Sequence, residues 1–170
     1  MIGQVHADHI AFIRRADAIA IRRATCADVD RIAAIVNQHA RAGDLLPRSA
    51  NNIRATLHSW IVAEVDGLVV ACGSLLEMSP TLVEVRSLAV LPAYRSHGLG
   101  AQIVRELVSE ARRRGTPTVF ALTRAVPFFE RLGFKVTNKE RFPEKVMQDC
   151  VICPLQHCCD ETAVVLDLDD

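Results

Sequence analysis

The stretch VEVRSLAVLPAYRSHGLGAQIVRELVSEARRRG, residues 83–115, changes its hydrophobic period partway along, and that change decides the fold. Residues 83–90 mix apolar and polar side chains with β-branched enrichment, the pattern of a half-buried strand. Pro92 ends the strand because its ring leaves no amide for a ladder. From Leu99 the apolar positions are Leu99, Ile103, Val104, Leu107, Val108 and Ala111. Spacings of three and four predict an amphipathic helix. Arg112, Arg113 and Arg114 crowd its last turn, where the helix dipole favours cations, and Gly115 fits just past the end.

The loop between strand and helix, Arg95-Ser96-His97-Gly98-Leu99-Gly100, is where chemistry enters. Gly98 and Gly100 remove side chains that would keep an anion from the first free amides of the helix, and those amides carry partial positive charge. Arg95 and His97 add cationic character. Such a loop suits a phosphate or pyrophosphate. Its spacing is neither G-x-G-x-x-G nor Gly-Lys-Ser/Thr, so it is not a Rossmann or Walker loop. Arg-x-x-Gly-x-Gly, a few residues past a strand and opening an amphipathic helix, instead resembles the acyl-CoA pyrophosphate loop of the GCN5-related N-acetyltransferases (GNAT).

The rest of the chain limits the alternatives. With 170 residues, half of them apolar, the chain has ample material for one core. Twenty basic and twenty acidic side chains cancel, which removes any global pull towards nucleic acid or anionic membrane. No basic stripe or aromatic platform is present either. No run of eighteen apolar residues, secretory leader or lipidation signal is recognisable, so a cytoplasmic location is expected, with mostly reduced thiols.

Residues 1–17 read as an N-terminal extension, and 18–170 as a single α/β domain. A first strand is expected at 18–24. Thr25 with Asp28 forms a capping-box pattern ahead of Val29, Ile32, Ala33, Val36 and Ala40, which line a helix ending at Gly43. Leu45-Leu46-Pro47-Arg48-Ser49 breaks that helix, and Ser49 caps a second one through Leu57. Strands at 60–65 and 68–75 flank Asp66-Gly67, a strong hairpin signal. Met78-Ser79-Pro80 turns the chain into the strand at 83–90. A strand at 118–123, a short helix at 127–132 and strands at 134–136 and 162–166 complete the series. This implies a mixed sheet of about six to seven strands with helices on both faces.

That order of elements is similar to the GNAT acyl-CoA N-acyltransferase fold over roughly residues 18–168. Three further stretches narrow the resemblance: Leu-Leu-Pro-Arg-Ser at 45–49, Glu-Val-Arg-Ser-Leu-Ala-Val at 84–90, and Phe-Phe-Glu-Arg-Leu-Gly-Phe at 128–134 with Pro-Glu-Lys-Val and Asp-Cys-x-x-Cys-Pro after it. Together they resemble the N-acetylglutamate synthase branch, which moves acetyl from acetyl-CoA to the α-amine of L-glutamate at the entry to arginine biosynthesis. Many members carry an amino-acid-kinase domain ahead of the acetyltransferase. The expectation here is the short, stand-alone type, to which arginine feedback through that domain does not carry over.

The resemblance implies acetyl-CoA as co-substrate, with Leu88, Ala89 and Val90 as the strand edge that pairs with pantetheine. Arg95, Ser96, His97, Gly98, Leu99 and Gly100 form the pyrophosphate cradle. Acetyl transfer needs a neutral amine, a route for its proton and donors for the thioester oxyanion. Glu84 is the expected base, directly or through water, on strand alternation that places it with Arg86, Leu88 and Val90 on one face. A structural pair of Glu84 with Arg86 is the other reading. A backbone amide near Leu88 is the expected oxyanion donor. Phe128 and Phe129 stand where many members have a tyrosine acid, and the one tyrosine is Tyr94. A thiolate leaves with little help, so the absence is tolerable.

Arginine suits bidentate capture of carboxylates. Arg48 and Arg86 are therefore the expected glutamate contacts, with Arg131 a weaker third. Cys72 could line the acceptor pocket, carry acetyl covalently or simply pack as a small hydrophobe. Cys150-x-x-Cys153 and Cys158-Cys159, beside His157, leave packed thiols, a metal site and a redox pair open. No metal is expected, because a C-x-x-C followed by vicinal cysteines lacks the usual zinc spacing. A homodimer is one assembly left open. Two rival functions stand: acetyl transfer to another amino acid, amine or protein amine, and sensing of acetyl-CoA or an amino acid without turnover.

Overall fold

The computed structural model describes residues 18–146, 150–154 and 159–169. The expected extension at 1–17, and His157 and Cys158, lie outside them. In chain order the elements are β1 (Ile19–Arg23), α1 (Val29–Arg41), α2 (Ala50–Ala55), β2 (Trp60–Val65), β3 (Leu68–Ser79) and β4 (Leu82–Val90). They continue with α3 (Leu99–Arg113), β5 (Thr118–Thr123), α4 (Val126–Glu130), β6 (Lys135–Thr137), α5 (Pro143–Lys145) and β7 (Thr162–Asp167). The strands form one seven-stranded sheet in the order β1-β2-β3-β4-β5-β7-β6. Every pairing is antiparallel except β4 with β5.

Local signals account for most boundaries. Asp66 and Gly67 take φ of 49° and 82°, the paired left-handed conformation that a two-residue hairpin requires. Ser49 caps α2 by accepting from the Asn52 amide at 3.0 Å. That helix stops at Ala55 and gives way to a short 3-10 turn at Leu57–Ser59 instead of running on through Leu57. Strand β3 runs to Ser79, beyond the expected end at 75, because Leu76 and Glu77 keep their partners Glu84 and Val83 on β4. The last strand, β7, inserts between β5 and β6 and buries Ala163, Val164 and Val165.

Helices cover both faces. Alternation along β3 separates them: Gly73 and Leu75 face α3, while Cys72 lies in the cluster that α1 packs against. A Cβ on Gly73 would stand 2.8 Å from Ile103 Cγ2, so the α3–β3 approach depends on that glycine. On the α1 face, Phe142 stacks on Phe120 with ring centroids 4.1 Å apart and fastens the segment carrying α5 to the sheet.

A β-bulge overturns the expected alternation in β4. Cys72 pairs with Ala89 and Ser74 with Arg86, so three steps on β4 meet two on β3, and Ser87 takes a left-handed φ of 53°. Before the bulge, Val83 and Val85 pack in the α3 cluster; after it, Leu88 and Val90 do. Glu84, registered against Leu76 and Phe120, therefore lies on the opposite face from Leu88 and Val90. Simple alternation missed the extra residue.

The start of α1 is tied to β1 by charge. Asp28 accepts from the Thr25 amide at 2.7 Å and from Arg22 at 2.7 and 3.0 Å. Those Arg22 hydrogen bonds, against the opposing effect of burial, hold the Asp28 carboxyl at about 2. A carboxyl lowered on folding stabilises above its unfolded value and loses that contribution as pH falls through the folded one. Asp28→Asn should thus destabilise by about 1–2 kcal/mol at neutral pH, allowing for the partial exposure of Arg22. The gap between wild type and variant should close between about pH 4 and pH 2. A gap of constant size in urea titrations across that range would contradict the assignment. On the other face, Gly73→Val should cost about 1–3 kcal/mol through overpacking against Ile103, read as a fall in Tm.

Candidate active site

The loop before α3 presents backbone rather than side chains. Ser96 and Gly98 have φ of 66° and 76°, and Gly98 is the residue at the helix cap. Left-handed residues at such positions turn successive amides to one side, and the first amides of α3 lack acceptors within the helix. Space beside Gly98 is open, with nothing within 4 Å of where a Cβ would stand. His97 folds back onto its own loop, its Nδ1 lying 2.8 Å from Arg95 O. Arg95 reaches back towards α1, its Nη2 being 3.4 Å from His39 Nε2.

Past this loop the sheet opens. β4 and β5 stay in register only from Leu82↔Thr118 to Glu84↔Phe120. The bulge then carries β4 away, while β5 continues alongside β7 through Thr123. A cleft with two adjoining lobes enters this gap. One, of about 220 Å3, is lined by His39, Ser87, Leu88, Thr123, Phe128 and Phe129. The other, of about 310 Å3, is lined by Lys139, Lys145, Val146, Cys150, Cys153 and Cys159. Asp44, Leu45, Leu122, Arg124 and Glu161 belong to both. The first lobe is mostly apolar; the second carries thiols, the cations Arg124, Lys139 and Lys145, and the acids Asp44, Glu140 and Glu161.

The residues expected from sequence fall in different places. Leu88 lines the narrow lobe directly, and Ala89 and Val90 continue the strand away from it. Glu84 is 2 % exposed and pairs with the buried Lys145, whose Nζ is 2.8 Å from Glu84 Oε1. It thus stands behind the wall of the wider lobe, reached through Lys145. Arg86, one strand position before the bulge, shares the Glu84 face. Arg48 follows the loop that supplies Leu45, and this loop is held by Asn37, which donates to Arg48 O at 2.8 Å and accepts from Arg48 N at 3.1 Å. Neither arginine is among the residues lining the lobes; the cations of the wider lobe are Arg124, paired with Asp160, Lys145, paired with Glu84, and Lys139. Cys72 is fully buried, its thiol directed at Ser87 O (3.7 Å), and burial pushes it up to about 12. A sealed, protonated thiol packs; it does not carry acetyl.

Four residues of the site escaped the sequence. His39 is buried in the last turn of α1, its Nδ1 2.9 Å from Ile35 O and its Nε2 3.1 Å from Val90 O, so it ties that helix to the end of β4. Its position three residues after Val36 on the apolar face was the available signal. Arg124 holds Asp160 at 2.6 Å and spans the cleft to Gly43 O at 3.3 Å. Lys139 and Lys145 enter only because Phe142 docks on the sheet, a contact no local pattern announces. Among the described residues, no group of three or more His, Cys, Asp or Glu side chains is placed to hold a metal ion.

This splayed sheet with a glycine-capped helix beside the gap is that of an acyltransferase fold, and the chain belongs to the acetyltransferase (GNAT) family, whose model matches residues 26–134. It is 37% identical over 145 residues to an uncharacterized N-acetyltransferase of Chlorobaculum tepidum, covering 85% of this chain and 94% of that one. It is 31% identical to the amino-acid acetyltransferase of Pseudomonas putida over 72% of this chain, but spans only 29% of that protein. Among solved structures, Rv2747 from Mycobacterium tuberculosis in complex with CoA and NLQ superposes with a TM-score of 0.75 at 30% identity, over 88% of this chain and 99% of that one. The N-acetylglutamate synthase from Neisseria gonorrhoeae, complexed with coenzyme A and N-acetyl-glutamate, gives 0.77 at 23% identity over 90% of this chain and 36% of that one, a likeness of fold.

Valine at position 98 would face open space but a backbone conformation that a β-branched residue resists. Gly98→Val should weaken acetyl-CoA binding at least about tenfold by calorimetry, through the displaced amides, with an unchanged circular dichroism spectrum. Wild-type affinity in a folded variant would remove the loop from the site.

Proposed function

We propose that this GNAT protein transfers acetyl from acetyl-CoA to the α-amine of an amino acid, with L-glutamate as the first candidate. The observation that carries this reading is the bulged, splayed β4 edge at Ser87–Leu88, which opens between the α3 cap on one side and a charged lobe on the other. Pantetheine lies along Leu88, Ala89 and Val90. The pyrophosphate rests on the amides of residues 95–100. The charged lobe, with Lys139, Lys145 and Arg124 among its lining, offers contacts to the carboxylates of a dicarboxylic acceptor, whose neutral amine must reach the thioester carbon.

Each side chain then has a task. A backbone amide near Leu88 donates to the thioester oxygen as negative charge develops on it. Glu84 takes the amine proton through water, because its buried carboxylate stands behind Lys145. The Lys145 ammonium orients that carboxylate. Arg86, on the Glu84 face, and Arg48, on the pinned loop, are the carboxylate contacts of this reading, each approaching the acceptor from beside the lobes, whose own lining they do not join. The Phe128 and Phe129 rings keep the acetyl lobe dry.

Thiol release from acetyl-CoA with L-glutamate, glutamine, aspartate and a small amine tests the acceptor. Release with glutamate alone, lost in Arg48→Ala and Arg86→Ala, is expected. Release only with the others replaces glutamate, and bound acetyl-CoA with no release from any acceptor replaces the enzyme with a sensor. Glu84→Gln should lower kcat by about 10²-fold or more while leaving the KM for acetyl-CoA near wild type. An unchanged kcat would remove Glu84 as the base.

A further inference from the structure

Cys150, Cys153 and Cys159 all line the wider lobe, although they come from two separate segments of chain. Nothing in acetyl transfer uses them. Cys159 is exposed, and Lys139 Nζ donates to its sulfur at 3.0 Å. Cys150 is half-buried in a turn closed by the Cys153 amide on Cys150 O at 3.3 Å. An exposed sulfur beside a cation, with a second thiol in the same pocket, is the arrangement of an oxidisable pair. Burial raises the Cys150 thiol, with Lys145 and Lys139 opposing, which suits Cys150 to the second step better than the first.

We propose that Cys159 and Cys150 form a peroxide-oxidised disulfide on the wall of the acceptor lobe, and that this bond lowers acceptor affinity. The Cys159 thiolate attacks the peroxide O–O bond, giving a sulfenic acid and releasing water. The Cys150 thiolate then attacks that sulfur and expels the hydroxyl as a second water. Two thiols are oxidised and one peroxide is reduced to two waters. A disulfide holds its two Cα atoms within about 7 Å, so it fixes the two segments to one another. That constraint reaches substrate through the next residue, Asp160, which anchors the Arg124 guanidinium shared by both lobes. It also takes the Cys159 sulfur off Lys139.

The coupling to acceptor binding rests on the acetyltransferase reading above; the disulfide does not. The full chain is treated with hydrogen peroxide, alkylated, digested and mapped by mass spectrometry, and its kinetics are compared before and after dithiothreitol. We expect a Cys150–Cys159 cross-link, absent in Cys150→Ser and Cys159→Ser and retained in Cys158→Ser. The buried Cys72 thiol should remain free. The apparent KM for the acceptor should rise about tenfold or more on oxidation and return on reduction, with the KM for acetyl-CoA unmoved. Both serine variants should lose that response, read as each variant's own ratio of oxidised to reduced KM. Free thiols throughout, a bond to a different cysteine, irreversible sulfonic acid, or a tightly held zinc ion released by acid would each overturn the proposal, as would a cross-link that leaves acceptor kinetics unchanged. Failure of the reduced protein to turn over any acceptor would instead overturn the acetyltransferase reading, with the peptide map still deciding the thiol chemistry.

Discussion

An extra residue in β4, accommodated by the left-handed backbone of Ser87, sets the geometry on which the rest of the structure depends. On its N-terminal side β4 runs in parallel register with β5. That register ends at Glu84↔Phe120, and a gap opens that backbone amides and a helix terminus can face. A non-glycine residue in that conformation is uncommon and costs of order 1 kcal/mol. The surrounding packing imposes it: β3 pairs with β4 on both sides of the bulge, and Cys72 donates its thiol to Ser87 O from below.

The same bulge divides labour between the two faces. Leu88 and Val90 join the α3 cluster beside the loop that opens α3, while Glu84 and Arg86 stay on the face that α1 and α5 cover. There a carboxylate and an ammonium are buried together. Such a pair gains little net stability, since desolvation offsets the attraction, but losing one partner leaves a buried charge. The pair is therefore better understood as fixing where Glu84 sits than as holding the fold, which Phe120, Phe142 and the aliphatic clusters do.

How much of this was legible follows from the range of each interaction. The Asp66-Gly67 hairpin, the Ser49 cap, the α3 stripe and the glycines at its start are local, and residue types alone implied them. The bulge was not legible, because a serine in a left-handed conformation leaves no mark in the residue pattern, and the facing of Leu88 was misjudged as a result. The insertion of β7 between β5 and β6, the reach of Lys145 to Glu84 and the Arg124–Asp160 clamp all depend on contacts distant in sequence. His39 lay in view on the α1 stripe, but a histidine there reads as easily as a helix-end cation as a contact to β4.

On the proposed reading, the bulged edge of β4 and the cap of α3 together receive one cofactor. Amide NMR shifts on titration with coenzyme A test it most directly. The amides of Leu88, Ala89 and Val90 should move together with those of residues 96–101, at one common affinity. Perturbation of the loop with no response at 88–90, or a response confined to another part of the sheet, would contradict it.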